Sequence, residues 1–349
     1  MKSSFILLAI LTAFVYKIFP QANLIQSIDI DSQQRIIYGY TGPYDSSYVC
    51  RYKNGNLEKW NLTEEFNLIF YWISTAVDEQ DNIWAYMQDK LYKYNGTSWH
   101  QFTIPSITSS YQKYSDLAVD IKYLWLSIQS GGVYGNKSVF RFNRKDSTWT
   151  FFNSENSNFP SWAISGPILL NGDSTYIGTN KGLVLIFNDS ANVVLDTTNS
   201  TLGTQNFYSF YIDSKGNRWI GTPDVGLVKW IDNYTFLNYN TNNSNLPNNF
   251  VNAIDQDSKG NIWLATDYGF ACLQGDSIIS YSYLTNNSII TLKVDNQDRI
   301  WIGDCCSGNL MVFDGVNLNV ITDVKDEKNP AVLNSYHLSQ NYPNPFNTD

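Results

Sequence analysis

Histidine is almost missing from this 349-residue chain, which has only His100 and His337. His337 belongs to the C-terminal tail, so any imidazole base in the body would have to be His100, beside Trp99. That excludes a Ser–His–Asp arrangement and a multi-histidine metal site. Arginine is also scarce, with six residues. Three of them lie in the repeat, Arg35 and Arg299 at equivalent places and Arg218 one place further on, so they do not converge as a sialidase-type carboxylate clamp would require. The four cysteines, Cys50, Cys272, Cys305 and Cys306, form no Cys-x-x-Cys pair, which removes zinc-ribbon and thioredoxin-type readings. A 3.6-residue apolar period is lacking, so stacked helix pairs are excluded. After the N-terminal segment no apolar run is long enough to span a bilayer. Positive charge is in deficit: the net charge is −9 and the pI about 4.7, a surface that repels phosphate backbones and argues against nucleic acid.

Aromatic residues reach 15%, almost matching the 16% that are charged, and Asn, Ser and Thr are abundant. These are strand and turn formers. They recur in one motif, an Asp-led turn followed by a Trp-containing strand. Residues 255–269 read Asp-Gln-Asp-Ser-Lys-Gly-Asn-Ile-Trp-Leu-Ala-Thr-Asp-Tyr-Gly, and residues 213–222 read Asp-Ser-Lys-Gly-Asn-Arg-Trp-Ile-Gly-Thr. Clear copies also lie at 78–84 and 295–303. Weaker ones lie at Asp31 to Ile37, Asp120 to Trp125 and Asp173 to Thr179. The aligned positions are Ile37, Trp84, Trp125, Tyr176, Trp219, Trp263 and Trp301, a period of about 44 with only strand signals. This predicts an all-β fold over residues 23–322: a seven-bladed β-propeller with four-stranded antiparallel blades. Within a blade, Trp263 is expected on one face of its strand and Ile262 and Leu264 on the other, with the Trp packed between blades. No spare strand is evident to close the ring.

The N-terminus reads as an export signal over residues 1–22: Lys2, then an apolar run from Phe5 to Tyr16. An exported chain could pair Cys272 with Cys305 or Cys306; the alternative is free, buried thiols. Residues 323–335 read as a polar linker.

The pattern Asp-x-x-Gly-Asn-x-Trp-Ile/Leu-Gly/Ala-Thr-x-x-Gly resembles the repeat of two-component regulator propellers, and Asn245 to Val251 is similar to the segment joining their repeats. That resemblance implies a sensor-like propeller, often periplasmic and joined to a histidine kinase. A second resemblance lies at Tyr336 to Asn347, Tyr-His-Leu-Ser-Gln-Asn-Tyr-Pro-Asn-Pro-Phe-Asn. It is similar to the opening of the type IX secretion sorting domain, so residues 336–349 are expected to be the start of a truncated copy. This implies a bacterium of the Bacteroidota or a relative, the type IX secretion machinery as a partner, and a secreted or outer-membrane-surface location.

The Asp-rich turns suggest calcium chemistry, but none has an EF-type loop. They are expected to be scaffold, with no cofactor beyond one possible structural Ca2+. Ligand contacts are expected on the opposite face, where outer strands lead to the next blade and second strands lead to third. The candidates there are Tyr71, Trp72, Trp162, Tyr208, Asp224, Asn248, Asp267, Tyr268 and Asp304. Exposed aromatics beside Asn and Asp can stack on sugar rings and bond hydroxyls. The leading reading is a monomeric, non-catalytic propeller that binds a glycan or peptide. The alternatives are a carboxylate-dependent polysaccharide lyase or glycoside hydrolase, and a periplasmic sensor module.

Overall fold

Each Asp-led repeat folds as the first hairpin of a blade. In the computed structural model, residues 23–322 are described apart from 43–45, 67–72, 88–89, 106–111, 131–137, 161–164, 233 and 306. The export signal, the linker, the tail and Cys306 therefore lie outside the described residues, as do Tyr71, Trp72 and Trp162. Twenty-eight strands, β1–β28 in chain order, make seven four-stranded antiparallel sheets, each of four consecutive strands. The blades span 24–61, 74–103, 112–152, 165–195, 209–239, 251–280 and 289–322. The one described helix, α1 (Leu62–Glu65), is a single turn capped by Asn61. The seven-bladed propeller is thus the observed fold.

The sixth blade shows why the sequence folds this way. It comprises β21 (Val251–Gln256), β22 (Ile262–Thr266), β23 (Gly269–Gln274) and β24 (Ser277–Ser280). All five residues of β22 are buried, as a strand covered on both faces requires. Trp263 packs with Ile289, Leu292, Ile300 and Phe313 of the seventh blade. Ile262 and Leu264 pack on Trp219 of the fifth. The same arrangement recurs round the ring: Trp84 meets Leu117 and Leu124, Trp125 meets Ile177 and Val184, and Trp301 meets Ile25 and Tyr38. In the fourth blade Tyr176 fills the place, its ring 5.2 Å from that of Phe210.

The turn and the Trp prove to be one unit. Asp257 Oδ1 accepts the backbone N–H groups of Lys259 (3.0 Å) and Asn261 (2.9 Å), while Oδ2 accepts Asn261 Nδ2 (2.8 Å) and Trp263 Nε1 (3.0 Å). Asp78, Asp213 and Asp295 hold Trp84, Trp219 and Trp301 in the same way. Four donors fill the acceptor capacity of the Asp257 carboxylate, leaving no lone pair for a cation at that turn. Burial pushes the Asp78 and Asp213 carboxyls up. Hydrogen bonds to Asn82 and Trp84, and to Trp219 and Asn217, outweigh it and hold both below the ordinary carboxylate value.

The weak repeats are weak for visible reasons. In the first blade Ile37 cannot reach the turn, and Arg35 Nε bonds Asp31 instead. In the third the turn is one residue shorter, and Trp125 Nε1 is buried without a partner among the described residues. In the fourth, β13 (Ser165–Asn171) and β14 (Ser174–Thr179) meet in a two-residue hairpin with no Asp clamp.

Among the described residues, ring closure uses no exchanged strand. The seventh blade contains only β25–β28 and abuts the first directly. Asn23 bridges Ser307, and Asn296 N–H donates to Gln34 Oε1 at 3.3 Å. Gly303 permits the close approach, since a Cβ there would lie 2.7 Å from Ile25 Cγ2. Gly303→Ala is therefore expected to cost about 1–3 kcal/mol through overpacking. Urea unfolding would measure it, and an unchanged midpoint would show that the closure relaxes freely.

Around the axis, carboxylates on inner strands accept N–H groups of the next blade. Asp29 bonds Val77 (2.8 Å), Asp116 bonds Ile168 (2.7 Å) and Asp255 bonds Val294 (2.9 Å). Lys293, on β25 (Ile289–Val294), is the counter-charge among them. The Asp255 carboxylate, opposed by burial and aided by Asp29, raises its pKa. The cysteine expectation resolves toward free thiols at Cys50 and Cys272; the pairing of Cys272 is corrected, because its thiol sits free in the apolar cluster with Phe270 and Phe313. Burial pushes both thiols up to about 12.

Candidate functional site

The strand order places the Asp turns on one face of the disc and the loops expected to meet a ligand on the other. On this second face the fifth and sixth blades carry two exposed tyrosines. Tyr208, just before β17 (Ser209–Ile212), is 49% exposed, and Tyr268, between β22 and β23, is 48% exposed. The Tyr208 ring stands edge-on to Phe250, with centroids 4.6 Å apart at 77°. Its backbone N–H donates to Gly221 O at 2.9 Å.

The loop bearing Tyr268 is built by Thr266 and Gly269. Thr266 Oγ1 donates to Gly269 O at 2.9 Å and accepts the Tyr268 N–H at 3.2 Å. Gly269 has φ +85°, and a Cβ there would meet Thr285 O at 2.5 Å, so only glycine fits. The pairs Thr179–Gly182 and Thr222–Gly226 repeat the bond in the two preceding blades.

Asp267, beside Tyr268, is exposed but oriented. Its Oδ1 accepts Asn252 Nδ2 at 2.9 Å and Ser288 Oγ at 2.8 Å, and its N–H donates to Phe250 O at 3.2 Å. Asp224 is exposed at the corresponding tip in the fifth blade, in a loop closed by the Val225 N–H to Thr222 Oγ1 (3.0 Å). Asn248 is half-buried, and its Oδ1 is occupied by the Phe250 N–H at 2.7 Å. Asp304 departs from the expectation. It is fully buried and accepts Asn287 Nδ2 (2.7 Å), Ser307 Oγ and the N–H groups of Ser307 and Gly308. A carboxylate so surrounded holds its loop and presents nothing to a ligand.

The structure thus brings Tyr208, Asp267 and Tyr268 into one region, with Asp224 and Asn248 on adjoining loops. Sequence reading missed Asn252, Ser288 and Phe250, which fix Asp267 and Tyr208. It also missed that part of this face repeats. Asn153, Asp196 and Asn240 each open the same connection: their N–H groups donate to Asn156, Asn199 and Asn243 Oδ1, and their carbonyls accept Ser157, Ser200 and Ser244 Oγ. Phe159, Leu202 and Leu246 then plug the core. The thrice-used Asn-Ser followed two residues later by an apolar residue was the available signal.

Two exposed phenols beside a fixed carboxylate suit stacking and hydrogen bonding. His100 lies elsewhere, exposed on β8 (Trp99–Thr103), the outermost strand of the second blade, within bonding distance of Asn95 and Ser98. Among the described residues no three His, Cys, Asp or Glu are grouped to hold a metal.

Residues 245–268 match the two component regulator propeller family, a stretch that runs from the connecting loop through the Asp257 turn to Tyr268. No curated protein matches the chain. Among solved structures, it is similar to the extracellular domain of a proposed one component system, BT4673, from B. thetaiotaomicron: 15% identity, TM-score 0.62, covering 89% of this chain and 46% of that one. It is also similar to PorZ, an essential surface component of the type IX secretion system of Porphyromonas gingivalis: 14% identity, TM-score 0.61, covering 83% of this chain and 46% of that one. The chain thus spans less than half the length of either. At such identities the likeness is one of fold.

Proposed function

We propose that the chain is a non-catalytic recognition propeller working outside the cell, and that it holds a glycan or peptide on the face bearing Tyr208 and Tyr268. The observation that carries this reading is the pairing of two half-exposed tyrosines with Asp267, whose orientation is fixed by Asn252 and Ser288. A partly exposed aromatic ring offers a flat apolar face for stacking, and an oriented carboxylate beside it offers a fixed acceptor for hydroxyl or amide groups. An extracellular place is supported by the export-like residues 1–22 and by the extracellular or surface setting of the similar structures. The sorting-like residues 336–349 point to type IX export. Similarity to PorZ supports a propeller suited to that surface, and the chain itself would be cargo.

Screening the intact protein against glycan and peptide panels should yield a ligand whose affinity falls at least tenfold, about 1.4 kcal/mol, in Tyr208→Ala/Tyr268→Ala. Binding undisturbed by that variant would remove this face from consideration. Cleavage of the ligand, abolished by Asp224→Asn or Asp267→Asn, would replace recognition with carboxylate-dependent hydrolysis or elimination.

A further inference from the structure

The face of the Asp turns has its own cavity. It lies between the second and third blades, encloses about 500 Å³, and is walled by Lys93, Lys122, Arg144 and Lys145, with Glu79 as the only acid. A second, of about 240 Å³, opens on the same face of the first blade beside Arg35, Arg51 and Lys53, with Glu58 paired to Arg51. A chain of net charge −9 thus gathers seven of its 23 basic residues around two adjoining cavities.

The cations of the larger cavity divide into two kinds. Arg144 is committed: it donates to Asp78 Oδ2 and Glu79 Oε2, both at 2.7 Å, and to Asp120 O. Its single positive charge offsets one of these two carboxylates, and its bonds rigidify the wall. The lysines are left. Lys122 has only Asp173 at 4.0 Å, and Lys93 stands 5.0 Å above the Trp84 ring. Between them the 74%-exposed Ile121 projects at the rim, an apolar side chain with no core to join.

We propose that this cavity docks an acidic peptide segment carrying one apolar side chain. Lysine ammonium groups are mobile point charges. They suit carboxylates on flexible arms better than the planar, bidentate groups that arginine forks select. Ile121 gives an apolar contact that a phosphate chain or a polyanionic sugar would not use. The global acidity opposes long polyanions, so attraction is confined to this patch.

The test uses the intact protein and a labelled peptide, Glu-Glu-Leu-Glu-Glu, read by fluorescence anisotropy. Binding should weaken at least tenfold between about 0.05 M and 0.3 M salt. Lys122→Glu/Lys145→Glu should lower affinity at least tenfold. Lys181→Glu/Lys215→Glu changes net charge equally at exposed sites away from the cavity and should alter it less than twofold. Replacing the central Leu by Ser should weaken binding to the wild type but not to Ile121→Ser. The proposal fails if both double variants lose affinity alike or if the Leu is irrelevant. It also fails if sulfated dextran or anionic vesicles bind where the peptide does not. The tyrosines lie on the opposite face, so failure of the recognition reading leaves this result untouched.

Discussion

Trp263→Ala is expected to destabilise the propeller by about 3–5 kcal/mol, lowering the thermal midpoint by about 5–10 °C. The indole is 6% exposed between the sixth and seventh blades, with Ile289, Ile300 and Phe313 about it. Removing it opens a cavity between two blades that are joined by side-chain packing. The same ring is also a donor, so the loss has two parts. Trp263→Phe keeps much of the apolar area, deletes the Nε1–H to Asp257 Oδ2 and leaves a smaller gap than Ala. It should cost about 1–2 kcal/mol, the value of a bond to a charged acceptor that retains Asn261 Nδ2. Asp257→Ala strands the N–H groups of Lys259 and Asn261 as well and should exceed Trp263→Phe. In a double-mutant cycle the two should couple, because they share one bond. Urea titrations would decide it. If Trp263→Phe matched Trp263→Ala, the hydrogen bond and not burial would hold the blades together.

That dual role explains what was legible in the sequence. The Asp, Gly, Asn and Trp of the strong repeats have fixed spacing because each makes a defined contact in one small unit, so the fold could be read from them. The blades with weak copies kept their four strands because packing between blades tolerates Ile37 or Tyr176 in the Trp place. The Asp31 turn and the strand Thr175 to Thr179 still marked those two places in the sequence. The upper face was only half legible. Tyr208 and Tyr268 followed from their loops, but the fate of Asp304 depended on Asn287, which is distant in sequence and bonded to it across the loop. A carboxylate in a turn looks the same in a sequence whether it faces solvent or is encircled by N–H groups. The cationic cavity was hidden for a similar reason: Lys93 lies on a strand of the second blade, Lys122 and Lys145 lie on separate turns of the third, and they meet only when the two blades are set side by side.

The inner ring leads to the second large effect, a dependence of stability on pH set by Asp116. Burial pushes its carboxyl up to about 6, against opposing bonds from the Ile168 and Leu117 N–H groups and the charge of Lys293. Its ordinary value is 3.8. The native state therefore holds this proton over a range where the unfolded chain has released it. Stability from this group is complete below about pH 4, falls as pH rises toward 6, and levels off above, a total of about 3 kcal/mol at most. Asp78 and Asp213 act in the opposite sense, with carboxyls held low that lose stability as pH falls, so the wild-type curve alone will not isolate Asp116. The difference between wild type and Asp116→Asn will. The amide is neutral throughout and keeps one acceptor oxygen for the two N–H groups now served by Oδ1 and Oδ2, sacrificing about 1 kcal/mol. Asp116→Asn should therefore be slightly less stable than wild type at pH 4 and about 1–2 kcal/mol more stable at pH 7.5, crossing over between pH 4 and 6. Urea midpoints across that range measure it. A difference that stays constant with pH would mean that Asp116 titrates at its ordinary value, and that the carboxylates round the axis are neutralised by Lys293 without strain.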